Sequence, residues 1–249
     1  MVYDENIVAS GPYAGRKLVE VLPELGEAFL GKAVVERYGY RLPLMIKFLD
    51  TAQWLSVQVH PDDAYAQIHE AESGWLGKAE AWVVLEAAPD AQVIYGVKHP
   101  VTRAELRAAA LDGSIQELLN FVPVQKGDVI YVPPGTIHAL GPGLLVYEVS
   151  QRSDLTYRLY DYGRGRELHM EKALDVARME PDPPNPLHLH EGAFLNSLYF
   201  YLSLQTRLAS PSLSVQTAVR TDGPDPAWLL RAGSSAVLDP GDWFLASTT

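Results

Sequence analysis

A mainly β fold, a barrel of jelly-roll type holding a metal site, is predicted for this 249-residue chain on three observations. From Leu42 onward, short β-like runs recur between Pro, Gly and polar punctuation: LPLMIKFLD, WLSVQVH, AWVVLEA, QVIYGV, VIYVP, TIHAL and LLVYEVSQ. In LSVQVHPDD, Gln58 and His60 alternate with Val57 and Val59. Residues two apart on a strand face the same way, so the polar pair shares one face and the valines take the other. In GDVIYVPPGTIH, two strand-like pieces flank a Pro-Pro-Gly turn that delivers His138.

The remaining elements follow in order. LVEVLPELGEAFLGKAVVERYG (18–39) has partly helical periodicity, broken at Pro23 and Gly26. Between Val101 and Phe121 lies a helical interlude, with Thr102 as N-cap, Glu105 at the capping-box spacing and Gly113 as punctuation. A last helix is predicted near MEKALDVARM (170–179). The run EPDPPNP (180–186) marks the domain boundary, because clustered proline continues neither helix nor central strand. Residues 1–180 then form the metal-holding barrel with its helices, and 187–249 a second, metal-free β-rich half. In that half SLYFYLSLQTR, LSVQTAVR, WLLRA, AVLD and WFLAST read as strands. GSSAVLDPGDWF (233–244) faintly repeats GDVIYVPPGTIH without its histidine, so the second half reads as structural.

Composition narrows the function. Hydrophobic residues are 47% and charged residues 20%, as in an ordinary globular protein. A formal charge of −11 argues against nucleic acid as partner, while a local cluster of Arg and Lys can still hold one small anion. Cysteine is absent, so a metal must be held by His, Glu, Asp or amide oxygen. No apolar run reaches the roughly 18 residues of a membrane span. The acidic start MVYDENIV is unlike a signal peptide, so no membrane association and a cytoplasmic location are expected.

The spacing G-x5-P-x-G-x2-H, here Gly127, Pro133, Gly135 and His138, resembles the second motif of the cupin superfamily. That pattern usually ends in asparagine, where this chain has Pro142. In order and spacing, VQVHPDD, GKAEAW, PPGTIHALGPG and SQRSDLTYRLYDYGR resemble the type I phosphomannose isomerases, and most nearly their short bacterial form. The resemblance runs from about Asn6 to Arg164 and includes GPYAGRKLVEVLPELGEAFLG and PLMIKFLD. It implies one Zn2+ per chain, with Gln58, His60, Glu80 and His138 as ligands. Two imidazoles, a carboxylate and an amide oxygen leave such an ion open to substrate oxygens. It further implies an aldose-ketose isomerase that interconverts mannose 6-phosphate and fructose 6-phosphate through an enediol, with a small sugar phosphate as partner.

By the same resemblance Arg158 and Lys78 are catalytic and bind substrate; the residues themselves add Asp154 as a catalytic candidate, and Arg152 and Arg164 as further phosphate candidates. On a strand Asp154 and Arg158 would share a face, so Asp154 could hold the arginine. Asp154, Glu148, Lys78 and a metal-bound water are all candidates for the base. Longer members often carry histidine before the lysine, where this chain has Gly77. With little room for the extra helical domain of larger members, a more open cleft and looser selectivity among aldose phosphates are expected.

Plainer readings stand beside these. Gln58 alone would be an ordinary hydrogen-bonded residue, whereas an inward Glu80 is costly unless paired or metal-bound. Asp62 and Asp63 read as a helix cap rather than as catalysts. His69, His99 and His169 read as surface residues, and His188 and His190 as part of a connecting loop. Arg158 with Asp154 or Asp161 could be a structural ion pair, and Tyr157, Tyr160 and Tyr162 read as packing. Two other functions compete: a non-catalytic sugar-phosphate-binding cupin, and a metal-dependent cupin oxygenase. The first predicts a lost ligand or arginine, and none is lost. The second predicts H-x-H with a nearby glutamate, against Gln58 and a glutamate 20 residues beyond His60.

Overall fold

The seven β-like runs of the first half, joined by residues 119–123 at the end of the expected helical interlude and by 157–160 and 187–188, form two five-stranded sheets. A computed structural model describes residues 5–181, 187–188, 194–205, 208–209, 214–220, 228–233, 236–237 and 243–248. They fall into two units, Phe48–His188 and Met1–Lys47 with Leu189–Thr249. Among the described residues no helix is long and apolar enough to cross a membrane.

In the Phe48–His188 unit, one sheet has the order β1 (Leu44–Thr51, entering this unit at Phe48), β8 (Leu144–Gln151), β3 (Glu80–Ala87), β6 (Asp128–Val132) and β10 (Leu187–His188). The other has the order β5 (Leu119–Pro123), β4 (Gln92–Val97), β7 (His138–Leu140), β2 (Val57–Val59) and β9 (Tyr157–Tyr160), antiparallel throughout. Side chains from both sheets share one core: Trp82 and Val84 of β3, Ile130 and Val132 of β6, Val93 and Tyr95 of β4, and Leu140 of β7. This is the double-sheet jelly roll expected of a cupin.

The opposite face of the second sheet carries helices. α4 (Asp63–His69), α5 (Arg103–Asp112) and α6 (Met170–Val176) belong to this unit. Val57, Val59, Ile94, Tyr157 and Leu159 pack with Leu106 and Ala109 of α5 and with Ala173 and Leu174 of α6. Each valine, leucine or isoleucine among them, fully buried, contributes about 1.5–3 kcal/mol. A one-residue slip of β2 would turn both valines into the polar interior, so burial locks its register. α5 starts at the expected capping box, with Thr102 Oγ1 accepting from Glu105 N and Thr102 N donating to Glu105 Oε2. Gly113 closes it in the left-handed conformation at φ 89°.

The other unit holds α1 (Leu18–Leu25), α2 (Glu27–Leu30) and α3 (Lys32–Tyr38). Its five-stranded sheet has the order β11 (Phe194–Asn196), β12 (Phe200–Gln205), β17 (Trp243–Thr248), β14 (Gln216–Arg220) and β15 (Trp228–Leu230). A separate pair is β13 (Leu208–Ala209) with β16 (Ala236–Val237). Pro23 does not break α1 as the sequence led us to expect; the helix runs through it and ends at Gly26, φ 66°. Burial of Leu18, Val21 and Leu22 outweighs the one backbone hydrogen bond that proline forfeits.

The units differ from the division at 180–186, of which 182–186 lie outside the described residues. Residues 1–47 group with the C-terminal strands because Leu18, Leu22, Leu30, Val34 and Leu42 share a core with Val215. Val215 N donates to Leu30 O and Ala232 N to Phe29 O. Most of the 233–244 repeat also lies outside the described residues.

Candidate metal centre

Both inward histidines are set by the same turn. Gly135 takes φ 86°, a conformation that favours glycine, and a Cβ there would stand 2.9 Å from Val176 O. Its N–H donates to His60 O, and its carbonyl accepts from Arg178 N. The Pro-Pro-Gly turn is thereby tied to the end of β2 and places His138 at the start of β7. There His138 pairs with Gln58 on one side and Tyr95 on the other. Glu80 opens β3 in the facing sheet, in register with Val132 and Ser150.

His60, Glu80 and His138 converge between the sheets, all buried, with their ligand atoms within 4.8 Å of one another. His60 Nε2 lies 3.2 Å from Glu80 Oε1, and His138 Nε2 lies 3.6 Å from Glu80 Oε2. Each imidazole is oriented from behind: His60 Nδ1 donates to Leu155 O at 2.8 Å and His138 Nδ1 to Thr136 O at 2.8 Å. A backbone acceptor on Nδ1 leaves Nε2 as the free lone pair facing Glu80, the arrangement of metal-ligating histidines.

The electrostatics prepare these donors. Burial, then the charge of Lys78, pushes the His60 imidazolium down to about 4 against the pull of Glu80. Burial likewise lowers His138. Burial opposes ionisation of Glu80, but Lys78, His60 and His138 outweigh it and hold the carboxyl well below its usual range. At neutral pH the trio is therefore two neutral imidazoles and one carboxylate, the protonation states a metal requires. His60 Nε2 and both Glu80 oxygens are buried without a hydrogen bond of good geometry among the described residues. Orphaned polar atoms of this kind, aimed at a common point, fit a divalent metal.

Gln58 belongs to the same cluster. Its Nε2 is 3.3 Å from His138 Nε2, and a half-turn of the amide would present Oε1 to the same point. Lys78 is buried beside the trio, with Nζ 2.6 Å from Glu80 Oε1. Burial alone would lower its pKa, but Glu80, Glu148 and Asp154 keep it above its ordinary value. Gly77 has a steric reason: a Cβ there would lie 2.3 Å from Asp62 C. A side chain at 77 would displace the segment that lets Lys78 N donate to Pro61 O.

Arg158 sits on β9 opposite Gln58, hence on the same face of the sheet. Asp154 lies outside β9 and is exposed, and Arg158 Nη1 instead donates to Glu167 O at 2.7 Å. Asp161 pairs with Arg164 and Arg166 rather than Arg158. Arg164 also donates to Trp54 O. Arg152 stacks over Trp75 at 4.4 Å. Asp62 caps α4 as expected, its Oδ1 accepting from Tyr65 N. Asp63 holds the Lys78 loop, accepting from Gly77 N and from Gln151 Nε2.

His69 stacks on Tyr65, and His99 is exposed. His169, expected at the surface, is half-buried, with Nδ1 accepting from Arg158 N. The side chain of His188 and all of His190 lie outside the described residues. Sequence reasoning missed Gln151, whose Oε1 accepts from Ala79 N between Lys78 and Glu80. Its polar side chain at the end of the apolar strand LLVYEVSQ was the available signal.

The profile described as phosphomannose isomerase type I, catalytic domain, matches residues 10–80. Mannose-6-phosphate isomerase ManA of Bacillus subtilis (strain 168) is 42% identical over 193 residues, covering 75% of this chain and 59% of that protein. This chain thus spans about three-fifths of the length of that curated relative. A zinc-bound mannose 6-phosphate isomerase crystal structure superposes with a TM-score of 0.66 over 94% of this chain and 86% of that one. At 18% identity that likeness shows the fold alone. The crystal structure of the mannose 6-phosphate isomerase from Bacillus subtilis superposes with a TM-score of 0.71 at 31% identity, over 97% of this chain and 82% of that one. With that identity sustained across most of both chains, this chain belongs to the type I phosphomannose isomerase family.

Proposed function

We propose that the chain is a zinc-dependent aldose-ketose isomerase that interconverts mannose 6-phosphate and fructose 6-phosphate in the cytoplasm. The observation that carries this is the convergence of His60, Glu80 and His138 on one buried point, with Lys78 against them. Gln58, His60, Glu80 and His138 would hold the ion. Bound there, zinc supplies Lewis acidity toward sugar oxygens and orients them.

The chain's own residues do the rest. Isomerisation removes the proton on C2 of the aldose and delivers one to C1, while the O2 hydroxyl proton passes to O1 and the carbonyl moves from C1 to C2 through an enediol. Lys78, held as an ammonium by Glu80, serves as a hydrogen-bond donor to the sugar oxygens rather than as the base. Glu148 and Asp154, both close enough to raise Lys78, are the carboxylates able to move the proton. Arg158, across from Gln58, balances negative charge developing on the substrate, and Arg152 binds the phosphate.

The test is interconversion of the two sugar phosphates by purified protein, before and after chelation and with zinc restored. Activity lost with chelator and regained with zinc supports reaction and cofactor together. Arg158→Ala should then lose turnover and keep zinc, while His138→Ala loses both. Absence of turnover in folded, zinc-loaded protein would favour a non-catalytic sugar-phosphate-binding cupin.

A further inference from the structure

We infer that His169 is the positioning residue for Arg158, clamping its main chain so that the guanidinium stays on the metal-facing side of the sheet. This rests on the isomerase reading for its functional consequence. Among the described residues β9 is the last strand of its sheet, so Arg158 has a neighbouring strand on one side only. An edge residue presents an N–H and a C=O with no ladder partner on its outer side.

His169 supplies both partners. Its Nδ1 accepts from Arg158 N at 3.1 Å, and its own N–H donates to Arg158 O at 2.8 Å. One residue thereby imitates a neighbouring strand, using its side chain as acceptor and its main chain as donor. Two residues earlier, Glu167 O accepts from Arg158 Nη1 at 2.7 Å. Segment 167–169 thus grips Arg158 at three atoms. Arg158 Nε, by contrast, is buried with no hydrogen-bond partner among the described residues, so one donor of the clamped guanidinium is uncommitted.

The clamp is itself anchored. His169 O accepts from Ala173 N in the first turn of α6. Ala173 and Leu174 of α6 are buried against Tyr157 and Leu159, the residues flanking Arg158. Acceptance at Nδ1 requires the neutral ring with its proton on Nε2. The groups facing the ring are Glu167, Arg158, Lys172 and Glu70, with the Tyr157 ring 6.4 Å away. Burial is the largest influence and, with Arg158 and Lys172, outweighs the two glutamates to favour the neutral form.

Two variants test the clamp. His169→Ala removes the acceptor, whereas His169→Asn places an amide oxygen near the Nδ1 position. Hydrogen exchange of a peptide spanning 157–160 should quicken in His169→Ala and stay near wild type in His169→Asn. The kcat for fructose 6-phosphate should fall ~10-fold or more in the alanine variant, since small misplacements of catalytic groups cost up to ~100-fold. The asparagine variant should recover to within about 3-fold of wild type, with zinc content unchanged in both and Tm lowered by no more than a few degrees in the alanine variant, because a single hydrogen bond contributes little net stability. Unchanged exchange in His169→Ala, or equal losses in the two variants, would overturn the inference. If wild-type protein fails to turn over, the isomerase reading falls, and the exchange measurement alone decides the clamp.

Discussion

Lys78 Nζ stands 2.6 Å from Glu80 Oε1, with both side chains buried, so the carboxylate that faces the two histidines is also the counter-ion of a buried ammonium. A metal and Lys78 would share the charge of Glu80. Glu80→Gln should therefore cost the metal-free protein about 3–5 kcal/mol, because it strands a buried charge. Urea unfolding in chelator measures this, and zinc content of the same variant should fall to background. Lys78→Met should keep its zinc, since the ion replaces the lost positive charge. A Lys78→Met protein that cannot be loaded would contradict this division of roles.

Stability of the chelated protein should depend on pH through His60. Its imidazole titrates at about 4 in the fold and at the ordinary 6.5 when unfolded. Between these values the unfolded chain binds a proton that the native site refuses. Stability is thus full above pH 6.5, falls as the pH drops toward 4, and is flat in this respect below it. The loss is on the order of 3 kcal/mol. Urea midpoints of chelated wild type and His60→Asn across that range should converge as the pH falls. Parallel curves would refute the assignment.

Gly77→Ala should be far more damaging than its size suggests. The added methyl would sit 2.3 Å from Asp62 C and 2.5 Å from Asp63 N, and backbone atoms cannot yield as a flexible side chain does. Relief requires moving the Lys78 segment or the start of α4, at about 1–3 kcal/mol. Thermal unfolding should show the loss, and kcat should fall with it because Lys78 moves. Wild-type kcat in a destabilised variant would show that the shift is taken up by α4 alone.

Thr102→Ala provides a contrast on the opposite face of the second sheet. It removes the hydroxyl that accepts from Glu105 N at the start of α5. Loss of an N-cap of this kind costs about 1 kcal/mol. Tm should fall by a few degrees with zinc content and kcat unchanged, and a drop in kcat would tie α5 to the site.

Much of the site was legible because it is written in local spacing. Alternation in Val57–His60 assigns the faces of β2, and G-x5-P-x-G-x2-H places His138 after a turn that needs glycine at Gly135. The Thr102–Glu105 box and the Asp62 cap are equally local, each satisfying helix-end N–H groups within a few residues. Pro23 misled because a local penalty of one hydrogen bond was outweighed by burial that the local sequence does not display.

By itself the sequence determined the β character of the chain, the metal-competent residue types and the family they resemble, because strand alternation and turn chemistry act over a few residues. Tertiary structure alone decided that residues 1–47 join the C-terminal strands, that Glu167 rather than Asp154 holds the Arg158 side chain, and that His169 leaves the surface to grip its main chain. Those outcomes depend on which strand is left at a sheet edge and which apolar faces find each other. Both are settled by contacts between distant parts of the chain, where no short-range pattern records them.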